Sequence, residues 1–94
     1  MAWFRISKVN ILDESKIAPI LDEVHESVSA ISSDFIEMAR AEDGSLTVIA
    51  RYPDKAAMEA ATATATNAFK RFFEEGASDP ASLYIWTGEV THTF

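Results

Sequence analysis

Three arginines lie within stretches of the sequence that otherwise alternate apolar and polar residues: Arg5, Arg40 and Arg51. A guanidinium inside such a strand must pair with a carboxylate or reach solvent, because burying an unpaired charge is costly. One interpretation is structural: an ion pair at a sheet edge or between subunits, for which Glu37 is the nearest cross-strand carboxylate. The other is functional: a clamp that binds a carboxylate or enolate anion at the mouth of a pocket.

Aromatic side chains in the same strand-like stretches are a second candidate for binding. They are Trp3, Tyr52, Tyr84 and Trp86. Such residues line pockets for flat aromatic compounds, but in strands they more often form the core, and both interpretations stay open.

The remaining residues offer little for metal or nucleotide chemistry. His25 lies among acidic and polar residues of a helix and His92 near the end of the chain, and each is explained as a solvated or interface histidine. No cysteine is present, the three glycines are isolated, and no His, Asp or Glu cluster has metal-ligand spacing. We therefore expect neither a bound metal nor a nucleotide cofactor.

The charge balance restricts the partners. Eight basic residues against 15 acidic ones give a net charge of −7, the opposite of a phosphate-binding surface, so nucleic acid is not an expected partner. No apolar run is long enough to span a bilayer and the first residues do not resemble a signal peptide. The sequence predicts a cytoplasmic protein without membrane association.

The elements that must position these residues are organised around a hairpin at Asp34–Tyr52. Asp43-Gly44 between two alternating runs predicts a two-residue turn, because such turns need positive φ. That turn would set Ala39 opposite Val48 and Phe35 opposite Tyr52. Glu37 would then face away from Arg40 and Arg51.

The flanking segments predict a strand and a helix on each side of this hairpin. The first strand is expected over Ala2–Leu12, followed by a helix whose apolar stripe runs from Ile17 to Ile31. After Pro53, Asp54 should cap a second helix over Lys55–Glu75 that Gly76 ends. A long last strand is expected over Ser82–Phe94.

The resulting order, βαββαβ, is typical of a ferredoxin-like fold. We expect one α+β domain over residues 1–94, with an antiparallel sheet in the order 4-1-3-2 and both helices on one face. Large apolar residues on both faces of the strands would leave an exposed patch on the other face, which predicts a homodimer. Phe69 and Phe73, off the inner helical stripe, and a last strand reaching onto the partner are expected to contribute.

The second helix presents mostly small residues to the sheet, from Ala57 through Ala68. This row either lets the helix pack closely on the sheet or leaves a cavity between them, and such a cavity is expected near Tyr52 and one of Arg5 or Arg51. The candidate ligand-binding residues are Arg5, Arg51, Tyr52, Ala61 and Trp86; no catalytic residue is identified.

The segment Tyr52–Met58 and its continuation into Asn67-Ala68-Phe69 resemble the antibiotic biosynthesis monooxygenase-like members of the dimeric α/β-barrel superfamily. Members often have tryptophan at the place of Tyr52 and histidine where this chain has Ala61. Of the asparagine, tryptophan and histidine of the haem-degrading branch, only Asn10 has a counterpart. The resemblance implies two ferredoxin-like protomers paired sheet to sheet, without a cofactor.

Two functions follow from the resemblance and the candidate residues. The first is a cofactor-independent monooxygenase, or a related small-molecule enzyme, acting on an apolar and aromatic compound between sheet and helices. The second is a non-catalytic homodimer that binds a small hydrophobic molecule or serves as an interaction module. The missing histidine of the second helix favours this second function.

Overall fold

Seven regular elements follow one another along residues 1–94, all of which the computed structural model describes. They are β1 (Trp3–Val9), α1 (Ile17–Ser29), β2 (Phe35–Arg40), β3 (Leu46–Tyr52), α2 (Lys55–Ala60), α3 (Thr62–Glu74) and β4 (Tyr84–Glu89). The strands form one antiparallel sheet in the order β2-β3-β1-β4. This is the predicted 4-1-3-2 order of a ferredoxin-like fold.

The helices lie together on one side of the sheet, as predicted, and bury two apolar clusters there. Where α1 packs on α3, the cluster is Ile17, Ile20, Phe72 and Ala77. Where α2 packs on β1 and β3, it is Ala50, Tyr52, Met58 and Ala61. The helical stripes predicted from the sequence therefore face the core.

The hairpin forms, but its predicted register was wrong by one residue. Ala41 N–H donates to Ser45 O and Gly44 N–H donates to Ala41 O, each at 2.9 Å, and Gly44 has φ 87°. The loop therefore has three residues, a turn followed by a left-handed glycine, rather than two. Met38 consequently lies opposite Val48 and Phe35 opposite Arg51, which places Glu37 on the same face as Arg51.

The predicted second helix is divided at Ala61 into α2 and α3. Its ends are as predicted: Asp54 Oδ1 accepts from Ala57 N at 2.8 Å, and Gly76 (φ 68°) follows α3. At the division Ala61 N–H is shared between the carbonyls of Ala57 and Met58, both at 3.2 Å, which tightens the turn. The Met58 carbonyl also accepts a hydrogen bond from Arg5 Nη2.

Both terminal strands are shorter than the sequence predicted. β1 begins at Trp3 and ends at Val9, before the turn that Asp13 caps. β4 ends at Glu89, after which Val90 N donates to Ala2 O at 2.8 Å and no further ladder forms. Residues 90–94 are not a strand within this protomer, because β1 has no backbone beyond its own first residues to pair with them.

Alternation divides the strand residues between two faces that we name the covered face and the bare face. The covered face, under the helices, carries the odd-numbered residues of β1 and the even-numbered residues of β2 and β3. The bare face carries Phe4, Ile6, Phe35, Ile49, Tyr84 and Trp86. On it Tyr84 is 65% and Trp86 48% exposed, and the rings of Phe4 and Phe35 meet edge to face at 6.2 Å.

No helix in residues 1–94 combines the length and the apolar character needed to cross a membrane.

Candidate functional site

A cavity of about 510 Å³ lies on the covered face, between the sheet and the helices α1 and α3. Fourteen of its 19 lining residues are hydrophobic. The sheet contributes mainly Ile36, Met38, Leu46, Val48, Ala50 and Tyr52, and the helices contribute Leu21, Val24, Val28, Ala65, Ala68, Phe69 and Phe72. Its volume and apolar lining are those of a small-molecule site.

The space exists because small residues of α3 face large ones across it. Ala65 and Ala68 lie on the lining where a longer side chain would meet the sheet, while Phe69 and Phe72 bound the cavity further along the same helix. Phe69 is therefore part of the cavity wall. The prediction that it contributes to a dimer interface was wrong. It also stacks on Phe73, with ring centroids 6.3 Å apart.

One end of the cavity is polar, and it is formed by Arg5, Ser7 and Tyr52. Strand pairing explains their proximity: Arg5 and Ser7 are two residues apart on the covered face of β1, and Tyr52 lies opposite Trp3 on β3. Tyr52 is 1% and Ser7 3% exposed.

Burial dominates the electrostatics of this end. It raises the pKa of the Tyr52 phenol above its ordinary value of 10.0, and the positive charge of Arg5 partly opposes the shift by favouring the phenolate. Tyr52 is therefore a neutral hydrogen-bond donor around neutral pH. No acidic residue is among the lining residues, so nothing in the cavity neutralises Arg5.

The guanidinium of Arg5 is held at the division between α2 and α3. Its Nη2 donates to Met58 O at 3.3 Å and to Thr62 Oγ1 at 2.7 Å. A guanidinium has five N–H donors, so the Nε and Nη1 groups remain for another acceptor. The break at Ala61 thus gives Arg5 a fixed position beside the cavity.

The other end of the cavity opens past α1, where His25 and Ser29 lie one helical turn apart. His25 Nε2 and Ser29 Oγ are 3.5 Å apart, and both residues are exposed. The sequence alone predicts His25 as a solvated helix residue, without a place at a cavity. A position one turn from Leu21 and Ser29, beside the stripe of α1, was the available signal that it could border a cavity.

The five predicted site residues are divided by the structure. Arg5 and Tyr52 line the cavity. Ala61 is 3% exposed and packs with Ala50, Tyr52 and Met58, next to the polar end but outside the lining. Arg51 and Trp86 lie on the bare face, because the alternation of β3 and β4 directs them away from the helices.

The other arginines have carboxylate partners, which is the structural interpretation of their charge. Arg40 forms a two-pronged pair with Glu14, at 2.7 and 2.9 Å, and Arg51 pairs with Asp34. Arg71 joins α3 to α1 through Glu23 at 2.7 Å. Glu37, the nearest cross-strand carboxylate in the sequence, pairs with neither Arg40 nor Arg51.

Metal ligation has no geometric support in residues 1–94. No three His, Asp or Glu side chains converge as a ligand set. His92 lies beyond β4, with its Nδ1 3.1 Å from Thr91 Oγ1 and its ring stacked on Phe94.

Comparison with known proteins gives the fold. No family model and no curated protein sequence matches the chain. Three solved structures each align with a TM-score of 0.72. The first is SnoaB, a cofactor-independent oxygenase from Streptomyces nogalater, in its N63A mutant form; it is 11% identical, with 98% of this chain and 95% of that one covered.

The second is a candidate antibiotic biosynthesis monooxygenase from Deinococcus radiodurans, 13% identical, with 100% of this chain and 96% of that one covered. The third is a dimeric ferredoxin-like protein of unknown function from Jannaschia sp. CCS1, 12% identical, with 96% and 100% covered. Structural neighbours of this chain thus include antibiotic biosynthesis monooxygenase-like and dimeric ferredoxin-like proteins. Identities this low establish the shared ferredoxin-like fold alone.

Proposed function

We propose that this protein is a cofactor-independent oxygenase, or a related small-molecule enzyme, that takes an apolar aromatic compound into the cavity on the covered face. The observation that carries the proposal is the cavity itself: about 510 Å³, apolar along its walls and polar at one end. The fold shared with SnoaB, described as a cofactor-independent oxygenase, supports the reaction type.

The chemistry suits a substrate whose carbon is activated by a neighbouring phenol, enol or ketone. When that carbon is a methylene group, its oxidation by O2 to a carbonyl places one oxygen atom on the carbon and releases the other as water. The substrate itself supplies the electrons. Arg5 and the neutral Tyr52 hydroxyl would stabilise the negative charge that develops on the substrate oxygen when the methylene loses its proton. The apolar walls would strengthen both interactions by excluding water.

A second candidate, a non-catalytic protein that binds the same class of compound, is favoured by the composition of the lining. The cavity contains no carboxylate, and its only imidazole, His25, is exposed at the opening. A general base within reach of a buried substrate carbon would have to be His25 or a water molecule. Binding of an aromatic compound without its conversion to a product would support this non-catalytic candidate.

We also propose that the protein acts as a homodimer in which the bare faces of two protomers meet. Phe4, Ile6, Phe35, Ile49, Tyr84 and Trp86 together form an apolar surface of the kind that soluble monomers rarely expose. The Jannaschia neighbour, described as dimeric, has the same fold. An obligate interface of this type buries more than about 2,000 Å² in total.

The test is oxygen uptake by the purified, chelator-treated protein in the presence of hydroxynaphthalenes and hydroxyanthrones. We expect consumption of one O2 per carbonyl formed, and its loss in Ala68→Leu, which places a larger side chain in the cavity. Arg40→Met, outside the cavity, is the control and should retain the rate. Tight binding of these compounds without oxygen uptake would instead support the non-catalytic candidate, and an unchanged rate in Ala68→Leu would refute the cavity as the site.

A further inference from the structure

The polar end of the cavity presents hydrogen-bond donors and no anionic acceptor. Arg5, Tyr52 and Ser7 all carry donors, while none of the 19 lining residues is Asp or Glu. A neutral hydroxyl can donate or accept, but a guanidinium only donates. The ligand that complements this end therefore brings an acceptor with it.

Arg5 also differs from the other three arginines of the chain. Arg40, Arg51 and Arg71 each pair with a carboxylate. Arg5 donates only to neutral oxygens, those of Met58 and Thr62, and both bonds come from Nη2. Its charge is thus left without a counterion beside an apolar cavity, where attraction to an anion is strongest.

We infer that the ligand is a monocarboxylate with a flat apolar body. Its carboxylate would accept from an unused N–H group of Arg5, on Nε or Nη1, and from the Tyr52 hydroxyl, and hydrogen bonds of this charge-assisted kind are the strong ones. Its apolar body would extend between Val48 and Phe69 toward the opening at His25. This inference rests on the proposed function in that the cavity takes a ligand, and it makes a carboxylate, rather than an enolate oxygen, the group that Arg5 and Tyr52 bind.

The test compares two fluorescent probes of the same shape, anthracene-2-carboxylate and anthracene-2-carboxamide, by titration into the intact protein. We expect the carboxylate to bind about tenfold or more tightly than the carboxamide, since hydrogen bonds to charged groups are the stronger ones. Arg5→Met should remove this preference. Arg40→Met, which loses an arginine already paired with Glu14, should keep it.

Two further variants keep the inference testable should Arg5→Met fold poorly. Arg5→Lys retains the charge without the planar fork, and we expect a reduced but measurable preference for the carboxylate. Tyr52→Phe should weaken carboxylate binding more than carboxamide binding. Equal affinities of the two probes for the wild type would overturn the inference and leave the cavity as a site for neutral compounds. Binding of neither probe, together with no binding of hydroxylated aromatics, would overturn the proposed function as well.

Discussion

The two faces of the sheet differ in how their apolar side chains are used. On the covered face the helices bring small residues, Ala65 and Ala68, over the strands and leave a cavity with a polar end. On the bare face the strands carry large residues, Trp86 and Tyr84 among them, and nothing in the protomer lies over them. Helices thus lie over the covered face but leave a cavity there, whereas the bare face carries large side chains that no other element covers.

This difference indicates a separation of roles. A space lined by apolar groups and ended by Arg5 and Tyr52 suits a small ligand, which supplies the missing volume and the missing anion. A flat apolar surface suits a second copy of the chain, which supplies the missing cover. Gly88 also lies on the bare face, and the ring of Trp86 lies over it. A Cβ at this position would be 2.3 Å from Cη2 of Trp86, so a larger residue would displace the ring.

The largest effect is expected from a charge at the centre of the bare face. Ile49→Asp would bury a carboxylate in the proposed interface, and we expect the dimer Kd to rise about a thousandfold or more, equivalent to about 4 kcal/mol. Sedimentation at micromolar concentration should show a wild-type dimer and a variant monomer of 10.4 kDa. Thr66→Asp, on the exposed side of α3, is the control. A wild type that sediments as a monomer would contradict the separation of roles.

Truncation after Glu89 should weaken the dimer to a lesser extent.

A pair of alanine substitutions on the covered face comes next. Ala61 is packed in the core, so Ala61→Leu should cost about 1–3 kcal/mol in overpacking and lower Tm by several degrees or more. Ala68 lines the cavity, so Ala68→Leu should leave Tm nearly unchanged and abolish ligand binding. Thermal melts with and without hydroxylated aromatics measure both. Equal destabilisation by the two variants would mean that the space beside Ala68 does not accept a side chain.

A smaller effect is expected from the Tyr52 phenol at alkaline pH. Its pKa is raised in the folded protein, so above pH 10.0 the unfolded chain loses a proton that the folded protein keeps. Folding stability should therefore fall as pH rises through this range, by at most about 1.4 kcal/mol per pH unit. Urea unfolding of the wild type and Tyr52→Phe between pH 9 and 11 measures the slope. The slope should be reduced in the variant; identical slopes would place the phenol in solvent.

The smallest effect concerns the exposed ion pair between Glu23 of α1 and Arg71 of α3. A hydrogen bond from Arg71 lowers the pKa of Glu23 below its ordinary value of 4.5. This contribution to stability is present above that value and is lost as pH falls through the folded pKa. Glu23→Gln should lower Tm slightly at pH 7, and the difference from wild type should vanish in acid. A difference that persists at pH 3 would assign the effect to packing of α1 on α3 instead.

The fold could be predicted because its signals are local. Asp54 caps α2, Gly76 ends α3 and Gly44 turns the hairpin, and each acts through its own neighbouring backbone. The pairing register of β2 and β3 could not be predicted from the sequence, because Asp-Gly suits both a two-residue turn and a three-residue loop. One extra loop residue moved Glu37 to the face of Arg51.

The predicted ligand-binding residues are only partly brought together, because side chains alternate between the two faces along β3 and β4. Arg5 and Tyr52 reach the cavity, whereas Arg51 and Trp86, predicted with them, lie on the bare face. Arg5, 56 positions before Ala61, donates to Met58 and Thr62 on either side of the division, and no local pattern signals this contact. The position of His25 beside the cavity results in the same way from the packing of α1 over the sheet.

Methyl NMR of the intact protein shows which face of the sheet binds a ligand, because both faces are observed in one titration. Val24, Val28 and Val48 report on the cavity, and Ile6 and Ile49 report on the bare face. On addition of anthracene-2-carboxylate or a hydroxylated aromatic, we expect shift changes at the three valines and none at the two isoleucines. Changes at Ile6 and Ile49 with the valines unaffected, or no change with any compound, would show that the covered face does not take the ligand.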